Sequence, residues 1–270
     1  MKELLIRVLV ALAGIPLLVF LIWQGGWWFF GLISVIAVIG QWEFYRFTRA
    51  KESTPREWSG YALTLLLLLT VYAGALTWVL LPIIAVGLFI FTAEMFRPSG
   101  SPLINIAVTL TGVIYPGLFL AALIFIRENA PAIGVSSAAA YILTFIVAIW
   151  ACDSLAYFVG KSLGRHRLFE RVSPKKSIEG AVGGLLGAVL VFLVAHYAGW
   201  YRIELGIAVA SGLAVGVFGQ LGDLVESWFK RDAAIKDSSS LIPGHGGILD
   251  RFDSLIFLSP FLMIIYLLWS

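Results

Sequence analysis

Apolar runs of roughly 16–24 residues recur from one end of the chain to the other, broken by short polar or glycine-bearing stretches. About 20 apolar residues suffice to cross the hydrocarbon core of a bilayer. The runs predict nine spanning helices, near 4–23, 27–46, 60–76, 78–95, 103–126, 136–157, 178–198, 203–227 and 252–269. Only Gly74 to Thr77 separates the third from the fourth. The expected fold is therefore all-α, a polytopic integral membrane helix bundle. The first run, Val8 to Trp23 behind Lys2 and Arg7, leads into Gln24-Gly25-Gly26-Trp27-Trp28. No small-x-small cleavage site follows it, so it reads as a retained span rather than a signal peptide.

The charges test this count. Lys and Arg collect in cytoplasmic loops. With the N-terminus inside, nine spans place 17 of the 19 basic residues on the inner side, and only Arg127 and Arg202 fall outside. Fusing the third and fourth runs would throw the later basic loops to the wrong side. Trp23, Trp27, Trp28, Trp200 and Tyr201 cluster at predicted outer boundaries, where aromatic rings favour the headgroup layer. A multi-pass protein of the cell (inner) membrane, with its N-terminus and its chemistry facing the cytoplasm, is the expectation.

Composition agrees. Of 270 residues, 60% are hydrophobic and 13% charged, and the mean hydropathy is +0.94; soluble domains carry about a quarter charged residues. The net charge of +3 follows topology and does not point to a nucleic-acid partner. Cys152 is the sole cysteine, which excludes an intrachain disulfide and a cysteine metal cluster. The chain divides into N-terminal membrane helices (1–135, spans one to five) and a catalytic membrane region (136–270, spans six to nine), the latter with long inner loops at 158–177 and 228–251.

Those loops and their flanking helix ends hold the candidate chemistry. Asp153 lies a turn or so inside the sixth span, where a carboxylate costs several kcal/mol unless paired or hydrated. It is either a functional group or one half of a helix-packing contact or a pair with Lys161. Ser173-Pro174-Lys175-Lys176-Ser177-Ile178-Glu179-Gly180 reads as a helix start with Ser177 as N-cap. Lys175 and Lys176 then precede a helix N-terminus that favours anions, either to bind phosphate or to anchor topology. Further on, Asp223 and Glu226 are three apart, as are Asp250 and Asp253. Residues at that spacing share a helix face, so two helices present paired carboxylates. Such pairs repel unless a cation sits between them. Carboxylates without a His or Cys array suit Mg²⁺ with substrate phosphate oxygens. Gly244, Gly246 and Gly247 let backbone approach a ligand, with His245 among them. Lys230, Arg231, Lys236 and Arg251 surround this segment.

From Ser227 to Asp253 the chain resembles the signature of the phosphatidate cytidylyltransferases, also called CDP-diacylglycerol synthases. That signature is Ser, two residues, Lys-Arg, a spacer, Lys-Asp, then Pro-x-His-Gly-Gly-x-x-Asp-Arg-x-Asp. It is met by Ser227, Lys230-Arg231, Lys236-Asp237, and Pro243 through His245-Gly246-Gly247 to Asp250-Arg251 and Asp253. The upstream pattern, Asp-x-x-Ala-Tyr-x-x-Gly then Ser-Pro-Lys-Lys-Ser-x-Glu-Gly, runs from Asp153 to Gly180. Over 1–150 the likeness is one of hydropathy only.

The resemblance implies a nucleotidyltransferase of phospholipid synthesis, in which CTP and phosphatidic acid give CDP-diacylglycerol and pyrophosphate in the presence of Mg²⁺, with a second metal ion as well. It implies Asp223, Asp250 and Asp253 as metal-centre carboxylates. Lys175, Lys176, Ser177, Lys230, Arg231, Lys236, Gly246, Gly247 and Arg251 become candidates for CTP or lipid phosphate. Asp153 and His245 order the site, or His245 handles a proton. A homodimer is expected by analogy alone. Two rivals stay open: a CTP-dependent lipid kinase acting on a polyprenol, phytol or dolichol, and an anionic-solute transporter. Against the transporter stand the absence of an internal repeat and the crowding of polar residues at one end. A CDP-alcohol phosphotransferase lacks both its opening and its closing motif here.

Overall fold

Each apolar run becomes a helix. The computed structural model describes residues 2–49 and 53–270, with side chains from residue 5 onward; Lys51 and the side chain of Lys2, both counted among the inner basic groups, lie outside the described residues. The helices are α1 (Lys2–Gln24), α2 (Gly26–Thr48), α3 (Glu57–Tyr72), α4 (Leu80–Met95), α5 (Pro102–Ile133), α6 (Ala138–Leu163), α7 (Ile178–Tyr197), α8 (Leu205–Asp232) and α9 (Leu249–Trp269). Among the described residues, eight of the nine are long and apolar enough to cross a membrane, α4 when taken with the 3₁₀ turn before it as Leu76–Met95. The exception is α3, whose 16 residues reach about 24 Å at 1.5 Å per residue. The expected third span, 60–76, thus starts and stops earlier: Gly74 takes a left-handed turn at φ 68°, and Leu76–Trp78 form a single 3₁₀ turn. That turn separates α3 from α4, as the charge census required.

Other boundaries also move. The sixth helix runs on to Leu163 and the eighth to Asp232, so the inner loops are shorter than 158–177 and 228–251. Asp153 therefore lies ten residues from the end of α6, about 15 Å of helix, and not a turn or so. Strands β1 (Arg167–Phe169) and β2 (Ser173–Ser177) form an antiparallel hairpin in what was expected to be loop. Two helices carry π-turns. In α5 the turn spans Val113–Leu118 around Pro116, where the missing N–H forces the ladder to slip. In α8 it spans Val215–Gly219.

Contacts sort the connections onto two ends. At one, Arg127 donates to the carbonyls of Ile22 (3.4 Å) and Trp23 (3.3 Å), and Arg202 N–H donates to Ser136 (2.8 Å). At the other, Thr54 N–H donates to Asn105 (2.8 Å), and the segment after α8 meets α2. This alternation fits nine crossings, and it leaves Arg127 and Arg202 together on the end poor in basic residues. Helices α1 and α4 are almost wholly exposed, whereas α5 is the most buried of the long helices. Residues of both sequence halves share one core: Phe229 of α8 packs its ring 5.8 Å from Phe44 of α2 and 5.6 Å from Tyr115 of α5.

Helices α6 and α7 pack backbone to backbone, and glycine makes it possible. A Cβ at Gly180 would stand 2.6 Å from the Ala156 carbonyl, and one at Gly184 would stand 2.8 Å from that of Cys152. This small-xxx-small spacing lets backbones touch where lipid offers no hydrophobic drive to association. It brings the inner half of α6, with Asp153, against the start of α7.

Candidate active site

The start of α7 is built as its sequence suggests. Ser177 is the N-cap, its Oγ accepting from Gly180 N–H at 3.1 Å. Glu179 in the first turn reaches back to the hairpin, accepting from Arg165 N–H (3.1 Å), His166 N–H (3.3 Å) and the His166 ring (2.6 Å). These bonds fix β2 against α6 and α7. Lys175 and Lys176 thereby sit on an anchored strand instead of a loose loop.

Between α6, the hairpin, α7 and α8 lies a cleft of about 520 Å³. Asp153, Lys175, Lys176, Ser177 and Asp223 all line it, joining the two sequence clusters that lie 47 residues apart at Lys176 and Asp223. Lys176 forms an ion pair with Asp223, whose other oxygen accepts from Ser227 Oγ at 3.2 Å. Asp153 makes no pair with Lys161, which instead lies over the Tyr157 ring at 5.8 Å. Arg167 and Gln220 also line the cleft and were not among the residues singled out in the sequence, and Lys161, expected there only as a partner for Asp153, lines it too. Arg167 looked there like an ordinary inner-loop charge.

Asp223, Glu226, Asp250 and Asp253 do not act as two like pairs. They sort across the helices. Lys230 sits between Glu226 and Asp250, forming an ion pair with the first and standing 2.6 Å from Oδ1 of the second. All three side chains are nearly or fully buried. Asp250 Oδ2 also accepts from Ser238 N–H (2.9 Å), Ser238 Oγ (2.9 Å) and Gly247 N–H (2.8 Å). Both oxygens are thus occupied by protein donors, and the Lys230 ammonium is taken up by the two carboxylate acceptors. Asp223 and Asp253 are left on the other side. Gly222 allows this approach, since a Cβ there would stand 2.6 Å from the Asp253 carbonyl. Asp253 feels the charges of Asp223, Asp153 and Lys230, and Asp153 those of Asp223, Lys176 and Arg251. Asp153 and Asp223 therefore form the acidic side of the cleft; Asp253 does not line it but lies near enough to feel both charges.

Arg231, Lys236 and His245 lie apart from this cleft. Arg231 reaches the Ile235 carbonyl at 3.4 Å, Lys236 is exposed, and His245 Nδ1 is 3.4 Å from the Pro243 carbonyl. Gly246 and Gly247 make room for carboxylates of the protein itself: a Cβ would stand 2.8 Å from Asp250 Oδ2 at Gly246, and 2.5 Å from Glu43 Oε1 at Gly247. Glu43, on α2, is a further residue that sequence reasoning missed. It is fully buried and accepts from Ser239 Oγ (2.6 Å), Ser238 Oγ (2.9 Å), Ile248 N–H (2.9 Å) and Leu249 N–H (2.8 Å). A lone carboxylate inside an apolar span was the available signal.

Among the described residues no three acidic, His or Cys side chains stand as a ready-made metal cage. The donors facing the cleft are carboxylate oxygens. That chemistry fits Mg²⁺, which keeps several waters and takes one or two carboxylates together with substrate phosphates.

A polytopic helical membrane protein whose cleft, at the end rich in basic residues, sets carboxylates against lysines and an arginine is an enzyme framework for anionic, phosphate-bearing substrates. Comparison with known proteins makes the class specific. The model of the cytidylyltransferase family matches residues 5–269, and the chain belongs to that family. It is 36% identical to a phosphatidate cytidylyltransferase of Synechocystis, over 94% of this chain and 93% of that protein. It is 47% identical to the phosphatidate cytidylyltransferase of Bacillus subtilis over 48% of each chain. A Staphylococcus aureus protein of the same name is 46% identical over 46% of this chain and 48% of its own.

Proposed function

We propose that this enzyme transfers the cytidylyl group of CTP to phosphatidic acid, releasing pyrophosphate and leaving CDP-diacylglycerol in the membrane. The observation that carries the reading is the shared cleft, in which Lys175 and Lys176, at a capped helix N-terminus, face Asp153 and Asp223.

In the reaction a phosphate oxygen of the lipid attacks the α-phosphorus of CTP, and the bond to the β-phosphate oxygen breaks. Both reactants are anionic, so cationic groups must offset their repulsion and the charge that grows on the leaving pyrophosphate. Lys175, Lys176, Lys161 and Arg167 line the cleft for this role. Lys176 is held ready by Asp223; an arriving phosphate competes for the ammonium and releases the carboxylate. Asp223 and Asp253, with Asp153 beside them, are the residues that would hold Mg²⁺. The bound ion would supply Lewis-acid neutralisation of phosphate charge. Asp250 and Lys230 serve as positioning residues, because their polar atoms are consumed by one another and by the loop. The nucleotide arrives from the cytoplasm and the lipid from the adjoining leaflet of the cell membrane, which the basic inner end favours.

The test is an assay of the purified protein with phosphatidic acid, Mg²⁺ and CTP labelled at either the α- or the γ-phosphate. Label from the α-phosphate in the lipid, with pyrophosphate released, is the expected result. Label from the γ-phosphate in the lipid would establish a kinase instead.

A further inference from the structure

Beside the polar cleft runs a second depression, of about 280 Å³, between α7 and α8. Its walls are Ile178, Val182 and Leu185 of α7 and Val217, Leu221 and Leu224 of α8, closed at the top by Leu168 of the hairpin. It is not a separate feature. Leu168, Ala181 and Gln220 line both depressions. Gln220 marks the threshold, its amide donating to the Ala181 carbonyl (3.0 Å) on α7 and the Gly216 carbonyl (2.6 Å) on α8. On one side of that stitch lie Lys175, Lys176, Asp153 and Asp223; on the other no charged side chain lines the groove.

We infer that this groove seats one acyl chain of the lipid substrate, so that the phosphate is delivered to the lysines by the path its own tail takes. The inference rests on the proposed transfer to phosphatidic acid. An amphipathic molecule is the occupant that matches both parts at once, a phosphate against the cationic cleft and a hydrocarbon against the apolar groove. From Ile178 to Leu185 the groove descends seven helical steps, and from Leu224 to Gly216 eight. At 1.5 Å per step that is about 10–12 Å, enough for the upper half of an acyl chain. Val182, Val217 and Leu221 are 51%, 42% and 40% exposed, so nothing within the chain fills the space. The groove faces where bilayer lipid would stand, and a tail can enter it sideways without leaving the hydrocarbon.

The experiment compares a dioleoyl with a dihexanoyl phosphatidic acid, each at fixed surface fraction in mixed micelles, using Val182→Trp and Leu221→Trp and, as a control for tryptophan on a lipid-facing helix, Leu88→Trp on α4. The groove variants should raise KM for the dioleoyl substrate about tenfold, equivalent to losing roughly two methylene contacts. KM for CTP should stay as in the parent protein, and KM for the dihexanoyl substrate, whose short tails fill only the top of the groove, should rise much less. Equal KM changes for both lipids, or no change for either, would overturn the groove. A wild-type protein that labels neither lipid from CTP would instead reject the transferase reading itself. A shift in oligomeric state of the groove variants, with unaltered KM values, would mean that a second copy covers this face and would likewise overturn the inference.

Discussion

Glu43 and Ser238 are 195 residues apart in the chain and 2.9 Å apart in space, joined by a buried hydrogen bond from the serine hydroxyl to the carboxylate. The same Ser238 hydroxyl stands 2.9 Å from Asp250 Oδ2. One small side chain thus ties a carboxylate of α2 to one of α9, and Glu43 also takes the first free N–H groups of α9 at Ile248 and Leu249. Those groups are orphans of any helix start, and a negative charge there is favoured by the helix dipole. A buried carboxylate is costly without partners, and four donors supply them here. The N-terminal helices therefore hold the signature loop in place from below.

Replacing Glu43 by Ala should take the carboxylate partner from Ser239 Oγ and from the Ile248 and Leu249 N–H groups, while Ser238 Oγ keeps Asp250; a buried donor left unpaired costs about 1–3 kcal/mol. We expect a clear fall in the thermal unfolding midpoint in detergent and at least a tenfold loss of transfer. Glu43→Gln keeps one acceptor oxygen and should fall between. Circular dichroism melts alongside the labelled-CTP assay check this; an alanine variant that melts like the parent would remove Glu43 from the scheme.

Lys176 and Lys230 resemble each other in the sequence as basic residues beside acidic ones, yet their surroundings differ. Lys176 is partly exposed in the cleft and pairs with one carboxylate. Lys230 is buried between two. Removing one member of a buried ionic group costs about 3–5 kcal/mol, because the remaining charges lose their compensation. Lys230→Met should therefore lower stability strongly. Lys176→Met should leave the melting midpoint close to the parent value while reducing kcat/KM about a hundredfold, the scale of losing a transition-state charge contact. The reverse pattern would exchange their roles.

The helices and the two chemical clusters were legible because membrane energetics write them plainly. Apolar length gives the span, Lys and Arg give its direction, and Asp153 and Asp223 stand out as charges that lipid would reject. What the pattern could not show was pairing in three dimensions. The i, i+3 spacing puts Asp223 with Glu226 and Asp250 with Asp253, but helix packing at Gly222 re-sorts them so that Glu226 and Asp250 share Lys230. Nor does helical periodicity reveal the hairpin, whose strands are three and five residues long and mostly exposed. Glu43 escaped because its partners are backbone N–H groups and serines, which carry no charge to signal a match.

Gly247 offers a test of the loop that involves no charge. Its Cβ, if present, would stand 2.0 Å from Ser238 Oγ and 2.5 Å from Glu43 Oε1. Gly247→Ala should force the clasp apart and destabilise the protein by about 1–3 kcal/mol, with a parallel loss of transfer. At Gly74, where nothing lies within 4 Å but φ is 68°, alanine meets only backbone strain. It should cost about 1 kcal/mol and spare kcat. Denaturation in detergent with matched activity assays separates the two, and equal effects on kcat would argue against the clasp.

Asp223, Asp250 and Asp253 start from similar expectations in the sequence and should part company in experiment. Asp223 lines the cleft with Asp153, and Asp253 beside them feels both charges, an arrangement that folding alone does not favour, since like charges in one place repel. Asn at Asp253 removes a repulsive charge, and at Asp223 it also gives up the partly exposed pair with Lys176, so the folded bundle should persist in both. Transfer should fall by at least about a hundredfold if these oxygens bind the cation that offsets phosphate charge. Asp250→Asn removes the charge that compensates Lys230 and an acceptor for Ser238 and Gly247, and it should lose stability together with activity. Melting curves and labelled-CTP turnover, each run across a Mg²⁺ titration, distinguish these cases. Near-normal turnover in both Asp223→Asn and Asp253→Asn would remove the cation from this side of the cleft, whatever Asp250→Asn does.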